Sequence, residues 1–189
     1  MDDAIAGAGA ENEVDEERLR LPAGLPFGYL LSRGDRALDR IDERILQDQT
    51  ASSDNKFVAE YTLMLIWEQA QDRISPEQLR RSMRNLLNDS ETAGVAINNL
   101  TEWRDWSIQD RLVEMYQQPG FNSAEIKQAI LNYLTACSKQ NDGATLPETT
   151  AISQARKAEL SLDRFRQWNA NLERFQQLHA KMMNVVEID

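Results

Sequence analysis

Apolar residues recur at intervals of three and four along most of the chain, and serines punctuate the recurrence. Leu79, Met83, Leu86 and Leu87 form one such stripe, and Ala93, Ala96, Ile97, Leu100 and Trp103 form the next. Ile108, Leu112, Met115 and Tyr116 follow, then Ile126, Ala129, Ile130, Tyr133, Leu134 and Cys137. This is the period of helices that bury one face. Ser75, Ser90, Ser107 and Ser123 stand just ahead of the four stripes, at intervals of 15, 17 and 16 residues. Serine is a favoured helix N-cap because its hydroxyl accepts a bond from an orphan N–H of the first turn. Ser75-Pro76-Glu77-Gln78 adds Pro at the first helical position and Gln three residues after the cap, a capping-box signature. The spacing predicts helices of about three turns joined by short connectors.

On the N-terminal side, Leu38, Ile41 and Ile45 predict a modest helix from about Asp35, and Thr50 to Asp54 reads as a polar loop. The run 55–70 is apolar nearly all round, with Phe57, Val58, Tyr61, Leu63, Met64, Leu65, Ile66 and Trp67. Such a helix is expected at the centre of the core, covered on most sides. In 18–33, Pro22, Gly24, Pro26 and Gly28 alternate with Leu21, Leu25, Phe27, Tyr29 and Leu30. That mixture predicts an irregular apolar segment laid along the surface. A polar linker over 139–150 precedes a predicted helix over 151–183 that contains neither Gly nor Pro. Ala155, Ala158, Leu162, Phe165, Leu172, Phe175 and Met182 keep a 3–4 spacing along it, interrupted by Asn169, with Trp168 just off the seam. A seam of that kind packs across several short helices or pairs with a second copy of itself.

No segment shows strand alternation with hairpin turns, so the expected class is all-α. One helix per 16 residues makes a helical hairpin per 32, the period of helical-repeat solenoids. The expected fold is therefore a short right-handed α–α superhelix with a long C-terminal helix, with an irregular helical bundle as the competing arrangement. The length of 189 residues suits one all-α domain over 18–189, with an N-terminal segment 18–54 and a helical core 55–138 ahead of the linker and long helix.

Charge narrows the partners. The formal net charge is −10, but seven of the 31 acids stand in residues 1–17, where there is no base. That leaves 24 acids against 21 bases in the body. The acidic stretch is too poor in large apolar residues to offset its ordering entropy and is expected to be a disordered, solubilising tail. Nucleic acid is an unsuitable partner, since phosphate neutralisation needs a basic surface. Arg80, Arg81 and Arg84 form the one basic cluster and read as a solvated face, with docking of an acidic partner as the alternative. No membrane span or leader peptide is recognisable. A cytoplasmic compartment is the default reading, and a secreted or periplasmic one follows if a leader has been removed.

Catalytic chemistry finds few candidates. His179 and Cys137 are single residues of their kinds, which excludes a His-based triad, a two-His metal site and a cysteine zinc cluster. Cys137 reads as a small buried hydrophobe, and His179 falls on the long seam. The glycines form no phosphate-cradling loop. No catalytic, cofactor or metal site is therefore expected, and the carboxylates read as solvated.

Trp103-Arg104-Asp105-Trp106 stands out, with two large rings and an ion pair at a connector between helices. Trp103 continues its stripe, and Trp106 precedes the Ser107 cap in the position of a hydrophobic staple. Arg104 and Asp105 are placed to bond across the turn, with Arg111 one helical turn away. The structural reading is a corner that locks one helix pair to the next. The functional reading is a partner surface of Trp103, Arg104, Asp105, Trp106, Arg111 and Trp168, with Trp and Arg as interface anchors.

The stretch 58–139 resembles a group of bacterial proteins with short HEAT-like helical repeats. The resemblance rests on Leu86-Leu87, Asn99-Leu100, Trp103 to Ser107, Asp110-Arg111-Leu112 and Ile126 to Ile130. It implies a scaffold that binds an unidentified protein or peptide without catalysis. The alternative is a structural element that forms a homodimer through its long helix.

Overall fold

A computed structural model describes residues 24–139 and 148–186. The expected acidic tail 1–17 and most of the linker lie outside them, as do the side chains of Leu172, Phe175, His179 and Met182. All regular structure among the described residues is helical, as the apolar periodicity requires. The chain divides into two compact units, one ending at Asp105 and the next beginning at Trp106. The division thus falls inside the Trp103–Trp106 corner rather than in the 139–150 segment.

The first unit contains α1 (Gly24–Arg33), α2 (Asp35–Ile41), α3 (Ser53–Gln69), α4 (Pro76–Asn85) and α5 (Ala93–Glu102). A π-helical turn, Asp42–Leu46, extends α2, and a 3-10 turn, Leu86–Asn88, closes α4. The α3 helix packs against α1, α4 and the π turn, and α4 packs against α5. Leu30, Leu38, Ile41, Leu63, Ile66, Leu79, Met83, Leu86 and Leu100 are buried in this unit.

Two expectations for this half are corrected. Residues 24–33 are helical despite Pro26 and Gly28, because Pro26 falls in the first turn, whose N–H groups have no intrahelical acceptor. The α1–α2 joint is made by Gly34 at φ 56, a left-handed conformation that glycine adopts without a Cβ penalty. The α3 helix is left uncovered along its outer edge: Ala59, Leu63 and Ile66 are buried and Val58, Met64, Leu65 and Trp67 are half-buried, while Phe57 and Tyr61 are exposed. Single exposed apolar side chains are ordinary on protein surfaces.

The serine rhythm is half a capping rhythm. Ser75 forms a full capping box: its Oγ accepts from Gln78 N at 3.3 Å, and Gln78 Oε1 accepts from Ser75 N at 3.1 Å. Ser123 caps the helix after it, accepting from Ile126 N. Ser90 and Ser107 do not stand at the N-cap positions, which are Thr92 for α5 and Ile108 for the helix beyond Ser107, neither with a side-chain cap bond. Next to Ser90, Asp89 accepts from Glu91 N at 2.9 Å and turns the chain first, in the Asx-turn manner. Ser75→Ala is therefore expected to lower stability by about 1 kcal/mol. Ser90→Ala is expected to stay within about 0.5 kcal/mol of the parent. Paired denaturant titrations check the contrast.

The second unit contains a 3-10 turn (Trp106–Ile108), α6 (Gln109–Met115), a 3-10 turn (Pro119–Phe121), α7 (Ala124–Ser138) and α8 (Glu148–Val186). The α8 helix has 39 residues, about 58 Å of helix. It packs along α7, with Ala158 and Phe165 buried. Phe165 stacks on Tyr116 at a centroid distance of 3.9 Å, and Asn169 Nδ2 donates to Tyr116 Oη at 3.2 Å. Asn169 thus serves the docked face that it interrupts in the apolar pattern. Beyond it, every described side chain as far as Gln177 is exposed.

Candidate functional site

The sequence-predicted surface resolves into separate pieces. Trp103 is buried and stacks on Trp67, with centroids 4.4 Å apart and planes 10° from parallel. Arg80 lies over the Trp67 ring at 5.3 Å and donates to Trp103 O through Nε at 3.1 Å and Nη2 at 2.6 Å. Asp105 is buried and accepts from Arg84 Nε at 2.6 Å. Hydrogen bonding to Asp105, aided by its charge, raises Arg84 above its ordinary pKa. The solvated-face reading is thus corrected for Arg80 and Arg84, which are half-buried members of this layer. Only Arg81 is exposed.

Arg104 is exposed at φ 53. Its N–H donates to Thr101 O at 3.1 Å, and Asp105 N donates to Leu100 O at 2.9 Å. Those two bonds are the Schellman pattern, in which the left-handed position is usually glycine. Arg104→Gly is expected to stabilise the first unit by about 1 kcal/mol by removing the left-handed penalty on a side chain. A higher denaturation midpoint with unchanged slope is the expected readout.

In the second unit Trp106 is buried against Tyr133, edge to face at 5.2 Å. It packs on α7 and does not serve as a staple to a Ser107-capped helix. Arg111 is partly buried, and that burial lowers its pKa. Trp168 is 52% exposed on α8, as is Leu160 at 54%. Of the six candidate residues, Arg104 and Trp168 are exposed, while Trp103, Asp105 and Trp106 are buried in the packing of their own units.

Cys137 is buried, and desolvation pushes its thiol up to about 11 despite a 3.2 Å bond from Gln109 Nε2. A thiol held in that range stays protonated near neutrality and is a poor nucleophile. No group of three or more His, Cys, Asp or Glu among the described residues is arranged to hold a metal ion. No helix among them is long and apolar enough to cross a membrane.

One site was not anticipated. A cavity of about 360 Å³ in the first unit is lined by Asp39, Asp42, Glu43, Gln47, Arg81 and Asn85. Among the lining residues, Asp42 opens the π turn. Ser82 Oγ donates to Asp42 Oδ2 at 2.9 Å, whereas Oδ1 is buried and receives no hydrogen bond from a described residue. Burial raises the Asp42 pKa, and the Ser82 bond, the Arg81 charge and hydrogen bonding by Asn85 oppose the rise without cancelling it. The signal was present in the sequence: Asp42 sits among Leu38, Ile41 and Ile45 on the face that α2 buries. A carboxylate there needs a reason.

Comparison with protein-family models, with curated proteins and with solved structures finds no match for the chain.

Proposed function

We propose that the chain is a non-catalytic interaction module that binds a protein or peptide partner. The observation that carries this reading is α8, whose docking side chains Ala158, Phe165 and Asn169 are followed by exposed ones at each described position as far as Gln177. Helices in proteins draw most of their stability from packing, so the exposed turns of α8 are a natural place for a partner to pack. Trp168 and Leu160 supply exposed anchors of the type that dominates interfaces. The reading includes the HEAT-like arrangement of short stacked helices, supported by the consecutive packing of α3, α4 and α5. Fold resemblance alone does not carry function, which is why the claim rests on the exposed helix.

The same helix favours a second reading, a homodimer formed through its C-terminal end. Sedimentation over a concentration series separates the two. A strict monomer at high concentration removes the dimer, and a mass that doubles with concentration supports it. For the partner reading, crosslinking with the parent chain is expected to recover a specific protein that Trp168→Ala loses. Recovery of none, together with turnover in a broad substrate screen, overturns it.

A further inference from the structure

We propose that the outer face of α3 and α5 binds a basic amphipathic helix of a partner protein. The inference is independent of the α8 reading, because it concerns another surface on the other unit.

The register of the two helices comes first. Ser53 Oγ donates to Glu91 at the N-terminal ends, Asn99 Nδ2 donates to Glu60 midway, and Trp67 stacks on Trp103 at the C-terminal ends. The numbers rise together, so α3 and α5 run side by side in the same direction. Phe57 stands between Ser53 and Glu60 on α3, and Val95 stands between Glu91 and Asn99 beside it. The two positions are therefore opposite one another across the seam. Tyr61 and Met64 continue the Phe57 stripe at helical spacing.

This stripe is left open. Phe57 is 38% exposed, Tyr61 46% and Val95 36%, while Met64 and Leu65 are half-buried. Among the described residues of the first unit, the exposed large apolar side chains are these three. Singly each is ordinary. Gathered on one face they make a contiguous apolar surface, which marks an interaction site.

Charge selects the occupant. Asp54 and Glu68 close the two ends of the α3 stripe, and Glu60, Glu91 and Glu102 stand along the α5 side. Lys56 is the one base on these stretches, but its side chain is 5% exposed and pairs with Asp89 at 2.7 Å. At the C-terminal ends, Arg80 is held over Trp67 and against Trp103 O, and Arg104 lies past the end of α5. The acids on the face thus have no exposed base among them. Burial raises the Glu60 pKa, and the group opposing the rise is the neutral Asn99 amide. A partner's cation over the seam meets a carboxylate that water already solvates poorly.

Other occupants fit worse. A second copy using the same face brings like charges together, and the phosphates of nucleic acid or of an anionic lipid surface are repelled for the same reason. A basic amphipathic helix meets both demands, with apolar side chains on Phe57, Tyr61 and Val95 and flanking lysines or arginines on the acids. Binding of this kind reads anchors at helical spacing along a groove. Asp54 to Glu68 spans about 21 Å of α3, room for about four turns of such a helix.

The test is an amide-shift titration of the full chain with an acetylated 14-residue peptide, leucine on one helical face and lysine elsewhere. Two controls accompany it: the same peptide with glutamate for lysine, and a scrambled one that keeps the composition and loses the apolar face. Saturable shifts confined to residues 53–68 and 91–102 are expected with the leucine–lysine peptide, and with neither control. Tyr61→Ser alters an exposed side chain and is expected to weaken binding by about tenfold, the scale of an interface anchor. Phe57→Ser, also exposed, decides the matter should Tyr61→Ser fail to fold. Glu68→Lys is expected to weaken binding a few-fold, and more than Glu114→Lys, an equal charge change at an exposed position of α6. Equal binding of either control peptide, shifts spread over both units, unchanged affinity in the folded serine variants, or equal loss in the two lysine variants overturns the proposal. Shifts in the same amides as the chain alone is concentrated assign the face to a second copy and overturn it too.

Discussion

Arg84→Ala is expected to destabilise the first unit by about 3–5 kcal/mol, the range for removing one partner from a buried ion pair. Asp105 is only 3% exposed at its side chain, and the Arg84 Nε lies 2.6 Å from its Oδ2. Deleting the guanidinium leaves that carboxylate in a place from which water is excluded. The reverse deletion is expected to cost less. Arg84 is 25% exposed and also lies 3.0 Å from Glu77, so without Asp105 it keeps a partner and access to solvent. Asp105→Ala is therefore expected to cost about 1–2 kcal/mol, nearer the hydrogen-bond scale. Denaturant unfolding followed by tryptophan fluorescence measures both variants, and hydrogen exchange at the amides of α4 and α5 localises the loss. Replacing both residues by apolar ones of similar size is expected to recover part of the stability. A loss under about 1 kcal/mol for Arg84→Ala would instead class the pair with ordinary surface salt bridges.

This pair also shows where reading the sequence reaches its limit. The capping box at Ser75 was legible because all of its atoms lie within four residues. Ser90 failed as a cap for an equally local reason, the competing Asp89, that spacing alone does not weigh. The helix at Gly24–Arg33 was missed because Pro counts against a helix everywhere except its first turn, and the register of that turn was not evident. The Trp103–Trp106 corner was recognised as special, but one of its bonds was not foreseen. Asp105 also accepts from Arg84, which comes from 21 residues away. Side chains brought together by tertiary packing leave no periodic trace. Asp42 lies between these cases. An acid on an apolar face was visible in the sequence, but that one oxygen is satisfied by Ser82 and the other by nothing depends on how α2 meets α4.

Phe165→Ala is expected to be the most damaging change in the second unit, costing about 3–5 kcal/mol for the lost burial and the cavity left behind. Phe165 is 1% exposed, and its stack on Tyr116 adds about 0.5–1.5 kcal/mol beyond its area. It stands near the end of the docked part of α8. On its N-terminal side, Lys157 pairs with Asp110 at 2.6 Å, and Gln109 Nε2 donates to Gln154 O at 3.1 Å. The Lys157 pair is solvent-exposed and worth little, so among the described residues the aromatic stack is the main apolar hold near Asn169. Losing it is expected to release the C-terminal part of α8 first, because an unpacked helix in water is marginal. Circular dichroism should then show helix loss below the main unfolding transition, and exchange protection should fall from Phe165 onward while α7 keeps its protection. Trp168→Ala, three residues along and half in solvent, is expected to change stability by no more than about 0.5 kcal/mol. The two substitutions therefore separate support from recognition on one helix. If the proposed partner binds through α8, Trp168→Ala abolishes capture without a shift in melting temperature, whereas Phe165→Ala loses capture and stability together. A mild stability effect for Phe165→Ala, under about 1 kcal/mol, would show that α8 is held by something other than this stack.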